Sequence, residues 1–172
     1  FFYATPDASL VDQVHAGGAL AAWQVGSVEE AVAAARVQCD FVVAQGAEAG
    51  GHVRGRVGLV PLLAEVLDAV DLPVVAAGGI GTARAMAAAL AAGAAAVRVG
   101  TRFLAAREAD VHPGYVAALI GASAGDTVLT QAFSVMWPDA PHRVLRSCVA
   151  AAEASAADVV GEMDNGGVRM SI

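Results

Sequence analysis

One stretch of this 172-residue sequence gathers the residue types that chemistry needs: Gln45-Gly46-Ala47-Glu48-Ala49-Gly50-Gly51-His52. A histidine titrates near neutrality, so His52 is the natural general acid or base of such a loop. Gly50-Gly51 lets backbone approach a flat cofactor, and Glu48 either orients the loop or is solvated. Two more glycine sites follow, Gly78-Gly79-Ile80-Gly81 and Gly100-Thr101. Where glycine follows a strand, backbone N–H groups can point at an anion near a helix start. Two such sites on neighbouring strands read as a phosphate grip or as tight strand-to-helix turns, and spacing alone leaves both open. The spacing is not G-x-G-x-x-G, so this is no dinucleotide fingerprint. His15 at a helix end, His112 before Pro113 and His142 after Pro141 read as structural or solvated.

These sites need strands that end at them. Leu20–Val25 reads as a strand, followed by a capping box in which Ser27 accepts a helix N–H and Glu30 reaches back. A helix then runs from Ala31 to about Val37. Phe41–Gln45 is the next strand, Leu59–Val70 has helical spacing, and Pro73–Ala77 is a strand again. Thr82 caps a helix over Ala83–Ala92 that stops at Gly93, and Ala95–Val99 is a last strand. Phe1–Ala4 fits a strand end and Pro6–Val14 a helix. Parallel strands joined by helical crossovers follow, and a period of roughly 30 residues suits a TM-type (β/α)₈ barrel (a TIM barrel) as well as a doubly wound sheet. After Leu104 no strand is expected. Val111–Ile120 and Val144–Ala157 read as helices around an irregular segment with Trp137-Pro138, before a turn-rich tail at 164–167. The expected division is a barrel segment over 1–104 and a helical extension over 105–172.

Composition narrows the function. With 57% hydrophobic residues and a mean hydropathy of +0.59, the chain can bury a core and is not intrinsically disordered. All 10 basic residues are arginine, against 17 acidic ones, for a net charge of −7. That balance argues against nucleic acid and anionic membrane as partners. Two cysteines make neither a disulfide scaffold nor a zinc site, and no metal is expected. The apolar run Ala85–Val97 is shorter than the ~20 residues of a membrane span. With no signal peptide visible, a cytoplasmic protein is expected.

The runs Ala44–His52, Pro73–Ile80 and Val99-Gly100-Thr101-Arg102-Phe103-Leu104 together resemble the nitronate monooxygenase family, formerly called 2-nitropropane dioxygenase. Its members are FMN-dependent enzymes with a TIM-barrel fold. The resemblance implies that 1–104 is the second half of the barrel, from the end of strand four through strand eight. It makes His52 the active-site histidine beside the flavin. Gly50 and Gly51 become a flavin-contacting loop, and Gln45 a strand-end residue near the ring. Gly79, Gly100 and Thr101 become the FMN phosphate site, with Gly78 beside them. The implied reaction converts a nitroalkane or its nitronate, with O₂, to a carbonyl compound and nitrite; the flavin carries the redox step. Three other readings stay open. An FMN-dependent enoyl-acyl-carrier-protein reductase is similar in this same half but consumes NAD(P)H. A generic phosphate-gripping barrel would leave His52 incidental. An inactive half-barrel would dimerise through its open edge. A half-barrel exposes strand edges and an apolar face, so a preceding half or a second copy of the chain is expected to cover them.

Overall fold

Short β-branched and alanine-rich runs alternate with amphipathic helices, and a computed structural model shows how they assemble. It describes residues 1, 4–133, 137 and 139–155, and the backbone of 162–165 and 168–171. In chain order the elements are α1 (Ala8–Ala16), β1 (Ala22–Val25), α2 (Val28–Arg36), β2 (Phe41–Gln45), β3 (Gly51–His52), α3 (Leu59–Ala69), β4 (Val74–Ala77), α4 (Ala83–Ala91) and β5 (Ala96–Arg98). They continue with α5 (Pro113–Gly121), β6 (Thr127–Thr130), β7 (His142–Leu145), α6 (Arg146–Glu153), β8 (Glu162–Asn165) and β9 (Val168–Ser171).

The main sheet is parallel, in the order β1-β2-β4-β5. Its strands follow one another without the reversal that marks a doubly wound sheet, so this is part of a (β/α) barrel. The register Gln24↔Val43, Val43↔Val75, Val75↔Ala96 places these residues in one row. The alternate residues Trp23, Val25, Val42, Ala44, Val74 and Ala76 face the helices. There they form one buried cluster with Val11 of α1, Ala31 and Ala34 of α2, Leu62, Leu63 and Val66 of α3, and Ala89 of α4. The opposite face carries Gln24, Val43, Gln45, Val75, Ala77, Ala96 and Arg98. It is closed at Gln24 and Gln45 but open at Ala96 and Arg98, as expected of a barrel segment. Arg98 reaches across it to donate a 2.7 Å hydrogen bond to Gln24 Oε1.

Phe1 continues the sheet beyond β1. Its amino group donates to Ala22 O, and its carbonyl accepts from Gln24 N at 2.9 Å. Its ring stacks on Trp23 with centroids 4.4 Å apart, and Trp23 Nε1 donates to Ala4 O at 2.9 Å. Phe2 and Tyr3, within the expected strand end, lie outside the described residues. Cys39 is buried, and that burial pushes its thiol pKa up, while Cys148 is half-buried; both are free. Among the described residues no helix is long and apolar enough to cross a membrane.

Two expectations are corrected after Leu104. Strands do occur there: β6 and β7 form an antiparallel hairpin, and β7 pairs in turn with β3. The helix expected over Val144–Ala157 starts only at Arg146, because Val144 and Leu145 belong to β7. β-branched Thr127, Val128, Thr130 and Val144 suit a pleated ladder, and the 11 residues between the strands hid their pairing. At the tail, Asp164 and Asn165 end β8, which pairs with β9; Gly166 and Gly167 lie outside the described residues, as does Pro138.

Leu62, 1% exposed, lies in the α3 face of the core. Leu62→Ala is expected to cost about 2–5 kcal/mol of unfolding free energy. It should appear as a lower urea midpoint at an unchanged slope; a loss under about 1 kcal/mol would contradict this packing.

Candidate active site

The C-terminal ends of β2, β4 and β5 lie side by side on one rung, Gln45↔Ala77 and Ala77↔Arg98. Gly78-Gly79 and Gly100 follow directly after these paired strand ends. Chain direction alone thus gathers the three glycine sites at one end of the sheet.

Close backbone approach explains several glycines. A Cβ on Gly50 would stand 2.5 Å from Thr101 Oγ1, so the loop after β2 rests on the loop after β5. Gly78 and Gly79 have φ of +111° and +65°, the left-handed region that glycine adopts without penalty. A Cβ on Gly78 would press on Gly46 O and Ala49, and one on Gly79 would come within 3.0 Å of Glu48 Cγ. Gly100 differs: its φ is −106°, and nothing lies within 4 Å of where its Cβ would be. Thr101 begins a 3₁₀ turn over Thr101–Ala105, whose first N–H groups have no acceptor inside the turn.

The loop carrying His52 is tied down along its length. Buried Gln45 uses both ends of its carboxamide on the loop's backbone: Nε2 donates to His52 O at 2.8 Å, and Oε1 accepts from Arg54 N at 3.0 Å. Ala47 N donates to Val57 O, and Gly46 N donates back to Ala77 O of β4. Glu48, unassigned by sequence, accepts from Leu59 N through both oxygens at 3.0 and 3.1 Å. It thereby caps α3, where Gly58 supplies no side chain. The capping box at α2 forms only in part. Ser27 accepts from Glu30 N at 3.3 Å, but Glu30 Oε2 takes Gly26 N rather than Ser27 N. Its other oxygen holds Arg54 Nε at 2.8 Å, which anchors the site loop to α2.

The C-terminal hairpin closes over the same loop, which the sequence reading missed. Arg143 Nη2 and Nε donate to Ala47 O at 2.9 and 3.3 Å, and its Nη1 donates to Thr127 Oγ1 at 3.2 Å. Val53 N donates to Pro141 O at 2.9 Å. On the β3–β7 ladder His52 stands opposite His142. The His52 ring lies between the indole of Trp137, with centroids 4.6 Å apart, and the imidazole of His142, at 5.4 Å. Burial holds the His52 pKa below its ordinary 6.5, and charge on His142 pushes the same way. Half-buried His52 therefore stays neutral, and able to accept a proton, further into acid than a free histidine.

The remaining histidines divide. His15 pairs with Asp40 at 2.9 Å, and His112 caps α5 by accepting from Gly114 N at 3.1 Å, both structural as expected. His142 is buried beside His52, which removes the solvated alternative and leaves the structural one. Its only sequence signal was position, as the first residue of a short strand after proline. Among the described residues, no group of three or more His, Cys, Asp or Glu is arranged to hold a metal.

Gln45→Leu removes both clips and strands His52 O and Arg54 N. Stability should fall by about 2 kcal/mol, and the Arg54 amide should exchange faster with solvent. Unchanged exchange at Arg54 would contradict the clip.

Comparison with known proteins follows the same residues. The sequence model of the nitronate monooxygenase family matches residues 1–160. A Rhodococcus jostii (strain RHA1) relative, described as a (3aS,4S,5R,7aS)-5-hydroxy-7a-methyl-1-oxo-octahydro-1H-indene-4-carboxyl-CoA dehydrogenase, is 40% identical over 146 residues, covering 85% of this chain and 40% of its own. The structure of FabK from Thermotoga maritima superposes with a TM-score of 0.77 at 41% identity, covering 85% of this chain and 45% of FabK. That of nitroalkane oxidase from Streptomyces ansochromogenes gives 0.73 at 40% identity, covering 81% and 42%. The chain thus spans less than half the length of each of these relatives. Matched by the family model over nearly all its length and folded as part of the same barrel, the chain belongs to the nitronate monooxygenase family.

Proposed function

We propose that this chain carries the FMN-binding and proton-transfer part of an oxidoreductase that converts nitroalkanes or their nitronates, with O₂, to carbonyl compounds and nitrite. The observation that carries the reading is the convergence of a neutral, half-buried His52 with three glycine-rich strand ends. The family match and the nitroalkane oxidase likeness support the reaction class.

The residues present fit FMN. The open space at Gly100, with Thr101 next in the chain, leaves backbone room for a phosphate, and left-handed Gly78 and Gly79 turn the neighbouring loop tightly against Gly46, Ala49 and Glu48. Gly51, with open space where a side chain would be, and Gln45 would be the loop and strand-end residues that hold the ring. Bound FMN would supply the redox chemistry, taking up the substrate's electrons and passing them to O₂. The protein's part is to hold the ring and move a proton. His52, low in basicity for a histidine yet neutral near physiological pH, takes the α-proton of a neutral nitroalkane. Trp137 gives that imidazole an apolar wall, while Gln45 and Arg143 fix the loop beneath it.

Oxygen consumption tests the proposal with a neutral nitroalkane and with its preformed nitronate. His52→Ala should slow the nitroalkane reaction by roughly 10²–10⁴-fold and the nitronate reaction far less. In the wild type the acid limb of the nitroalkane rate should have its midpoint below 6.5, because the His52 pKa is lowered. Equal loss on both substrates would make His52 a binding or structural residue. Turnover that requires NAD(P)H and an enoyl thioester would replace this reaction with the reductase one.

A further inference from the structure

His142 is 9% exposed and lies at the heart of the β3–β7 ladder, yet its Nδ1 atom is buried with no hydrogen-bond partner. A histidine kept only for packing normally has such an atom satisfied. Its ring meets the ring of His52 directly, with centroids 5.4 Å apart and planes inclined by 52°. The rung His52↔His142 makes this contact a property of the ladder rather than of one rotamer.

The other charged groups near the pair are committed elsewhere. Arg54 is held by Glu30, Arg143 by Ala47 O and Thr127 Oγ1, and Glu48 by Leu59 N. Asp139 is exposed in the turn that precedes β7. Two imidazoles this close in a partly desolvated place disfavour a positive charge on His52.

We propose that His142 is a positioning residue for His52: across the β3–β7 rung it holds the reacting imidazole in place and sets a second ionisable ring against it. The proposal rests on the reading of His52 as the base. His142 does this from the segment after residue 104, which the β3–β7 ladder and Arg143 tie to the site loop. Trp137 also touches the His52 ring, with centroids 4.6 Å apart.

Histidine ring resonances, followed by NMR through a pH titration of the full chain, test the pairing. In the wild type, the His52 ring resonances should titrate with a midpoint below the ordinary 6.5. In His142→Gln and His142→Phe, which fill the space but cannot take the proton, His52 should titrate roughly half a pH unit or more higher. The acid limb of nitroalkane turnover should move up with it. An unmoved His52 midpoint in whichever variant folds overturns the proposal. The titration does not depend on turnover. A protein that shows the shift and leaves nitroalkanes untouched would refute the function and keep the pairing.

Discussion

The site depends on one buried carboxamide. Gln45 ends β2 facing the barrel interior, where an unpartnered amide would be costly, and it meets that demand with the backbone of the loop that follows. Both hydrogen bonds run to residues flanking Val53, so satisfying the amide fixes the loop's path at His52. Other ties build on that path. Arg54 turns to Glu30 of α2, and Val53 offers its N–H to Pro141 of the C-terminal segment. A short strand and a distant hairpin can then meet, and the imidazole comes to rest between Trp137 and His142.

Glycine makes the remaining approach possible. In a parallel sheet the strand ends lie about 4.8 Å apart, too close for three loops with side chains to share the space above them. Gly50 lies against Thr101, Gly78 against Gly46 and Ala49, and Gly79 against Glu48. The consequence is unequal: Gly79 is braced by the side chain that caps α3, whereas Gly100 faces open space. A substitution at Gly79 disturbs the scaffold as well as any ligand, and one at Gly100 acts on the space alone.

The sequence carried the parallel sheet well, because its signals are local. β2 spans the expected Phe41–Gln45, and Thr82 caps α4 through Ala85 N as its spacing implied. The glycine sites were legible because a strand end is visible in the residues before it. What was not legible depends on contacts between distant segments. β3 is two residues long and exists only because β7 pairs with it some ninety residues later. His142 carried no local sign of its partner, and Arg143 looked like any surface arginine until Ala47 O received it. Glu30 was seen as a capping residue, but its choice of Gly26 over Ser27 reflects a second duty toward Arg54. The cofactor and the reaction were read through resemblance to a family, because no local pattern of residues names either.

The central claim is that the strand-end glycines form a flavin phosphate site under a histidine loop, and flavin content measures it most directly. FMN released from the denatured protein should approach one per chain in the wild type. It should drop sharply in Gly100→Val, whose added side chain enters open space without straining the backbone. A wild-type protein that stays colourless with added FMN, or a Gly100→Val protein that retains its full flavin, would contradict the account.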